Sequence, residues 1–215
     1  MPTLKHKIIE CRYFFAVVIL LLIAAVIFSF SLNKADLFLA LTPWHSQAGD
    51  YFFRVVTQMG NGLFAIAIVL ILAIKKQYQA AAVLLLSFVF SGIASQTIKN
   101  LVTELRPYPY FQTLGITIHA IEGETAKASS ASFPSGHTAT VFSMLCSLVL
   151  TMPRVKKTWP WFLLLSMLIA YSRMYVSNHF LIDIAGGATL GMSASLLAYW
   201  IVSKQKRLQR LKDNG

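Results

Sequence analysis

The sequence predicts an all-α, polytopic membrane protein: a six-transmembrane-helix bundle with an amphipathic segment lying along its outer interface. Three observations predict it. Of the 215 residues, 56% are hydrophobic and only 13% charged, against about 45–50% and about 25% in an ordinary soluble domain. Several apolar runs approach or exceed the roughly 18–20 residues that a helix needs to cross a bilayer. The basic residues fall mainly into four clusters at alternate ends of those runs: Lys5, Lys7 and Arg12; Lys75 and Lys76; Arg154, Lys156 and Lys157; Lys204, Lys206, Arg207, Arg210 and Lys212. That is the positive-inside pattern, so the formal charge of +11 sets orientation and does not point to nucleic acid.

With the N-terminus cytoplasmic, the first span (about 13–30) leads out, the second (about 60–74) returns to Lys75 and Lys76, and the third (about 78–97) leads out again. The fourth (about 136–152) returns to Arg154, Lys156 and Lys157, the fifth (about 158–173) leads out, and the sixth (about 180–203) brings the chain to its basic tail. The first run is too long for a cleaved signal and lacks a small-x-small cleavage site, so it reads as a retained span. Residues 1–215 form a single domain.

Between the first two spans, the mixed segment ending in "GDYFFRVVTQMGNG" reads as an amphipathic interfacial helix with Trp44, Tyr51, Phe52 and Phe53 at headgroup level. Gly60, Asn61 and Gly62 break it from the membrane. The stretch from about 99 to 133 reads as a structured outer loop, where Tyr108, Tyr110 and Phe111 suit interface anchoring. Cys11 and Cys146 lie in settings too different to pair and carry no redox role. Gly186, Gly187 and Gly191 on the sixth span suggest close helix contact.

Once the four clusters are set aside, the basic residues Lys34, Arg54, Lys99, Arg106, Lys127 and Arg173 remain unexplained by orientation. Lys99, Arg106 and Arg173 fall near the outer ends of the third and fifth spans, and His137 and His179 at the outer starts of the fourth and sixth. Ionisable groups at membrane depth are costly and face one another, a cavity or a substrate. His179 and Asp183, four apart, share one helix face, so the carboxylate can accept a hydrogen bond from one imidazole nitrogen and leave the other as nucleophile or base. Pro134, Ser135 and Gly136 open the fourth span, where free N–H groups, a hydroxyl and a glycine suit a phosphate cradle, or equally an ordinary serine cap. If the third span continues, Lys99 and Arg106 project to one side before Pro107 ends it, offering a point charge and a bidentate fork to a dianion.

In order, these segments read K-x6-R-P, P-S-G-H and S-R-x5-H-x3-D. This resembles the tripartite signature of the type 2 phosphatidic acid phosphatase superfamily, which includes lipid phosphate phosphatases, undecaprenyl pyrophosphate phosphatases, glucose-6-phosphatases and vanadium haloperoxidases. The signature residues lie between 99 and 183. The resemblance implies a phosphohydrolase acting on a lipid phosphate or pyrophosphate, of the undecaprenyl pyrophosphate, phosphatidylglycerol phosphate, phosphatidate or lipid A class, without metal or other cofactor and through a phosphohistidine intermediate. By that likeness His179 is the nucleophile, Asp183 its orienting partner and His137 the acid and base. Lys99, Arg106, Ser135, Gly136 and Arg173 bind the phosphate oxygens.

No compact His/Cys/Asp/Glu ligand cluster is visible in the sequence, and His45, His119, Glu104, Glu122 and Glu124 read as solvated loop residues. Asn178 is placed to contact the headgroup and Ser172 to buttress Arg173. The implied partners are the lipid substrate and the bilayer, with neither nucleic acid nor a required protein partner. The implied setting is a bacterial inner membrane, with both termini cytoplasmic and the site at the periplasmic face. A lipid phosphotransferase would use the same residues. An anion or lipid-phosphate transporter would also gather cations, but with broken helices and repeated halves that the sequence does not show.

Overall fold

The structure, a computed structural model, describes residues 2–126 and 131–213. Lys127, one of the six basic residues outside the clusters, lies outside that set. Among the described residues the regular elements are helices: α1 (Leu4–Glu10), α2 (Arg12–Ser31), α3 (Lys34–Leu41), α4 (Gln47–Gln58), α5 (Gly62–Ile74), α6 (Tyr78–Leu101), α7 (Pro107–Thr113), α8 (Gly136–Thr151), α9 (Pro153–Lys157), α10 (Trp159–Tyr175) and α11 (Leu181–Asp213). An isolated parallel bridge joins Glu104 to Ala131.

Six of these helices follow the six apolar stretches. Length and composition alone qualify three to cross a membrane, α2, α6 and the Leu181–Lys206 part of α11, or four if α4 and α5, bent by 52°, count as one broken span. The short helices are α5, α8 and α10, with 13, 16 and 17 residues, and of these α8 is buried along almost its whole length from Thr138 to Leu150. A helix enclosed by others does not need the long apolar run that a lipid-facing helix does. Around it pack α11, α6 and α10.

The outward surface is apolar: Leu20, Phe30, Leu63, Ile74 and Leu101 are all well exposed. The inside is apolar as well, around Phe14, Leu84 and Leu150, but small polar groups are buried among those side chains. Ser87 and Ser195 share a 2.8 Å hydrogen bond, Ser147 Oγ donates to Ser195 Oγ at 3.3 Å, and Ser195 reaches the Ser143 carbonyl at 3.0 Å. An apolar outer surface over an interior where small residues let helices approach and hydroxyls pair across the seam is the mark of an integral membrane protein. Gly187 and Gly191 allow that approach, because a Cβ there would strike the Ser135 and Ala139 carbonyls of α8.

Residues from all four basic clusters meet at one end of the bundle. Lys75, Lys76, Arg154 and Lys206 line one cavity, while Glu10 pairs with Lys7 at 2.6 Å and with Lys156. Cys11 and Cys146 are both free and buried.

Three expectations need correction. The interfacial segment is two helices, α3 and α4. Trp44, Tyr51 and Phe52 are exposed, but Phe53 turns inward onto Tyr175, with ring centroids 4.2 Å apart. Second, α6 stops at Leu101, Val102 is extended, and Arg106 is the N-cap of α7 with Pro107 in its first turn. Pro107 therefore opens a helix, where its missing N–H costs nothing. Third, Phe111 is fully buried and packs against Phe38 at 5.3 Å, while Tyr110 packs edge-on against Phe180 at 5.5 Å. These rings fill a small core above α11.

Candidate active site

At the end opposite the basic clusters, helix termini bring the sequence-predicted residues together. Lys99 lies in the last turn of α6, Arg106 caps α7, Ser135 caps α8 ahead of Gly136 and His137, Arg173 lies in the last turn of α10, and Asp183 lies in the first turn of α11. His137 lies within electrostatic reach of Arg173, His179, Lys99 and Arg106. Lys99 Nζ lies over Gly136, 3.9 Å from where a Cβ would stand.

His179 Nδ1 lies 3.5 Å from Asp183 Oδ2 with both side chains buried, close enough for charge to act but longer than a hydrogen bond. The expected imidazole–carboxylate bond is thus approached and not made. The i, i+4 argument assumed continuous helix, whereas α11 begins at Leu181 and His179 stands in the turn before it. Asp183 Oδ2 instead accepts hydrogen bonds from Ser132 Oγ at 2.6 Å and from Phe180 N at 2.8 Å. Its carbonyl accepts from Ser135 N at 2.9 Å, which fastens the start of α8 to the start of α11. Burial, opposed by Asp183, lowers the His179 pKa to about 4, so the ring is neutral near pH 7, as a nucleophile must be.

The cations are held by uncharged groups. Arg173 Nη1 donates to Thr57 Oγ1 at 2.6 Å. Arg106 donates to the carbonyls of Asn178 and Ala131, each at 3.4 Å. The Nε atoms of both arginines are buried and have no partner among the described residues. Nor do Lys99, Arg106 or Arg173 form an ion pair among them. Buried guanidinium donors left open in this way suit an incoming anion. Ser135 Oγ accepts from Thr138 N at 3.4 Å and Thr138 Oγ1 at 2.9 Å. It is therefore a working helix cap whose own O–H remains a donor.

Two cavities flank the cluster. One of about 290 Å³ is walled by Gly60, Phe88, Ser95, Lys99, Gly136 and His137, between α5, α6 and α8. The other, about 430 Å³ and mostly apolar, runs from Phe30, Leu37 and Phe38 to Phe180 and Asp183.

Ser132 and Thr57 were missed in the sequence. Ser132 stands just ahead of P-S-G-H, the one hint available; nothing local marks Thr57. Asn178 does not face the site: its amide bonds Ala126 N at 2.8 Å and the Glu124 carbonyl at 2.7 Å. Ser172 bonds the Ile169 carbonyl rather than Arg173. The supposed loop residues also have partners. Lys34 pairs with Glu104 at 3.1 Å, Arg54 bonds the Glu122 carbonyl at 3.0 Å, and Gln58 bonds Glu124 at 3.3 Å. His45, Asp50 and His119 come together with ligand atoms all within 4.8 Å of one another, a cluster invisible in the sequence.

One end of this helical membrane bundle thus gathers the buried His179, the half-buried His137 and three cations that form no ion pair among the described residues, a set that could take an anion. The PAP2 superfamily profile matches residues 80–207, a range that contains every signature residue, and the chain belongs to that superfamily. It is similar to an undecaprenyl-diphosphatase of Sulfolobus acidocaldarius, 30% identical over 136 residues, which cover 62% of this chain and 61% of the relative. The match thus spans about three-fifths of the relative's length. Among solved structures, Aquifex aeolicus LpxE superposes with a TM-score of 0.63 at 22% identity, over 77% of this chain and 93% of that one. The transmembrane PAP2 type phosphatidylglycerolphosphate phosphatase from Bacillus subtilis superposes with a TM-score of 0.62 at 18% identity, over 92% and 96% of the two chains. At these identities the structures share the fold.

Proposed function

We propose that the protein is a membrane phosphohydrolase that removes phosphate from a lipid phosphate or pyrophosphate through a phosphohistidine intermediate. The observation that carries this reading is the convergence of Lys99, Arg106 and Arg173, none of them ion-paired among the described residues, on His137 and His179. The far imidazole nitrogen of His179, Nε2, attacks phosphorus in line and forms a P–N bond. The P–O bond to the leaving group breaks as His137 gives that oxygen a proton. Water, deprotonated by His137, then attacks phosphorus, and the P–N electron pair returns to His179. Asp183 stabilises the imidazolium by charge across 3.5 Å. Lys99, Arg106, Arg173, Ser135 and the Gly136 amide hold the non-bridging oxygens. Phosphoryl transfer asks chiefly for positioning and charge neutralisation, which three cations supply without a metal.

A lipid substrate is supported by the cavities, both walled by membrane helices and one of them apolar. The named relatives act on undecaprenyl diphosphate and phosphatidylglycerolphosphate, and those classes, with phosphatidate and lipid A, are the substrates proposed here. The six-span topology is retained, as one domain in a bacterial inner membrane, with the termini cytoplasmic and the site periplasmic. The gathering of basic clusters at the opposite end supports it.

The test is phosphate release from those four lipids by purified protein in detergent with EDTA. Release is expected, with a loss of at least about a thousandfold in His179→Ala and in His137→Ala. Folded protein that releases nothing from any of them overturns the reading, as does release that needs added metal in His119→Ala as much as in the parent. Impermeant labelling of Gln112→Cys but not Lys157→Cys in intact cells is the expected topology result.

A further inference from the structure

Close to the site, but unused by the chemistry above, stands the cluster of His45, Asp50 and His119. His45 comes from the connector between α3 and α4, Asp50 from the first turn of α4, and His119 from the segment after α7. His119 Nε2 lies 2.9 Å from Asp50 Oδ1. The two imidazoles stack with centroids 4.1 Å apart and planes 24° from parallel. His45 Nδ1 is buried without a partner among the described residues. Tyr175 donates its hydroxyl to Asp50 Oδ1 at 2.9 Å, the outer-shell bond that orients a ligating carboxylate.

We propose that His45, Asp50 and His119 form a Zn²⁺ site that clamps the segment around His119 to α4. Two imidazoles and one carboxylate, with a position left for water, are a zinc donor set; Ca²⁺ and Mg²⁺ ask for oxygen ligands throughout. Tetrahedral zinc with bonds of about 2.0–2.2 Å spaces its ligand atoms by about 3.4 Å. Here the shortest recorded separation is 2.9 Å and the widest no more than 4.8 Å, so closing the site takes a shortening of at most about 1.4 Å between ligand atoms together with a reorientation of the rings. The rings must turn out of their stack so that both lone pairs meet at one point, which the half-exposed position of His119 permits.

The clamp would act on the active-site wall without touching the reaction. The His119 carbonyl accepts a 2.8 Å bond from Ser177 Oγ, two residues from His179, and Thr125 Oγ1 donates to the Val176 carbonyl at 2.9 Å. On the other side of the clamp, α4 carries Thr57, which holds Arg173. Zinc would therefore fasten together the two pieces of chain that position Arg173 and the His179 turn. The inference holds whatever reaction the site performs.

The test uses the full chain, purified in detergent without a polyhistidine tag, stripped with chelator and titrated with ZnCl₂ by calorimetry. One zinc per chain with a Kd in the micromolar range or tighter is expected. Affinity should fall at least a hundredfold in His119→Ala and His45→Ala, and zinc should raise the thermal midpoint of the parent but not of the variants. Zinc binding that is absent, or equal in parent and variants, overturns the proposal. If the variants fail to fold, the parent loaded with Co²⁺ decides: intense visible bands of four-coordinate cobalt support the site, and the weak spectrum of six-coordinate cobalt overturns it.

Discussion

Ser132 Oγ donates a 2.6 Å hydrogen bond to Asp183 Oδ2 inside the protein, where both side chains are buried. With the Phe180 amide on the same oxygen, it holds the carboxylate 3.5 Å from His179 Nδ1. In the proposed mechanism a buried carboxylate kept in place by a hydroxyl is a positioning device, whose value appears when charge develops on the imidazole. Ser132→Ala is expected to lower kcat by roughly tenfold to a hundredfold, the worth of about 1.5–3 kcal/mol for a hydrogen bond to a charged group, with KM changed by less than about threefold. Steady-state phosphate release measures both, and an unchanged kcat would separate Ser132 from the chemistry.

Thr57 and Arg173 lie on different helices and meet at 2.6 Å. Thr57→Val keeps the shape and removes the acceptor, freeing a guanidinium that binds phosphate in the proposed mechanism. The expected result is a rise in KM of about five- to thirtyfold, equivalent to about 1–2 kcal/mol of binding. Thr57→Ser should restore it, whereas a merely structural role would leave KM unmoved in both.

His179 sets a pH dependence. Burial lowers its pKa to about 4, below the roughly 6.5 of an unfolded histidine. Between those values the unfolded chain binds the proton and the folded chain does not, so the contribution to stability is complete above about pH 6.5 and is lost as pH falls toward 4. Thermal midpoints in detergent should therefore fall through that window. In His179→Gln the decline across it should be shallower. Parallel curves would show that other groups dominate.

The glycines of α11 give a packing test with an internal control. A methyl at Gly191 would meet the Ala139 carbonyl and the Ser143 amide nitrogen, backbone atoms that cannot swing aside, whereas a methyl at Gly92 of α6 meets nothing within 4 Å. Gly191→Ala is expected to destabilise by about 1–3 kcal/mol. Gly92→Ala should be neutral or stabilising by up to about 1 kcal/mol, since alanine favours helix. Denaturation in mixed detergent micelles would show it, and equal effects at the two positions would contradict the close approach of α11 to α8.

Much of the fold was legible because its code is local. Hydropathy marks the six apolar stretches within a few residues of α2, α5, α6, α8 and α10 and of the start of α11, which runs on through the basic tail to Asp213, and Asn61 with its flanking glycines marks the break before α5. The basic clusters were legible for the same reason: each stands beside the helix end it marks. The signature residues stood out because charge is costly in an apolar chain, so Lys99, Arg106, Arg173 and Asp183 needed a reason to be there.

Tertiary structure decided how those pieces meet. Hydropathy carries no information on which helix stands at the centre, so the burial of the short α8 could not be read from its 16 residues. The helix-period argument linked Lys99 to Arg106 and His179 to Asp183 through backbone that proves non-helical at Val102 and before Leu181. Ser132 and Thr57 gain their partners from α11 and α10, and His45, Asp50 and His119 gain one another, across separations at which no local pattern survives. The sequence by itself determined which segments form apolar helices and which charged residues are kept despite the cost. Only packing, which depends on side-chain shape between distant helices, determined the distances at which those residues act.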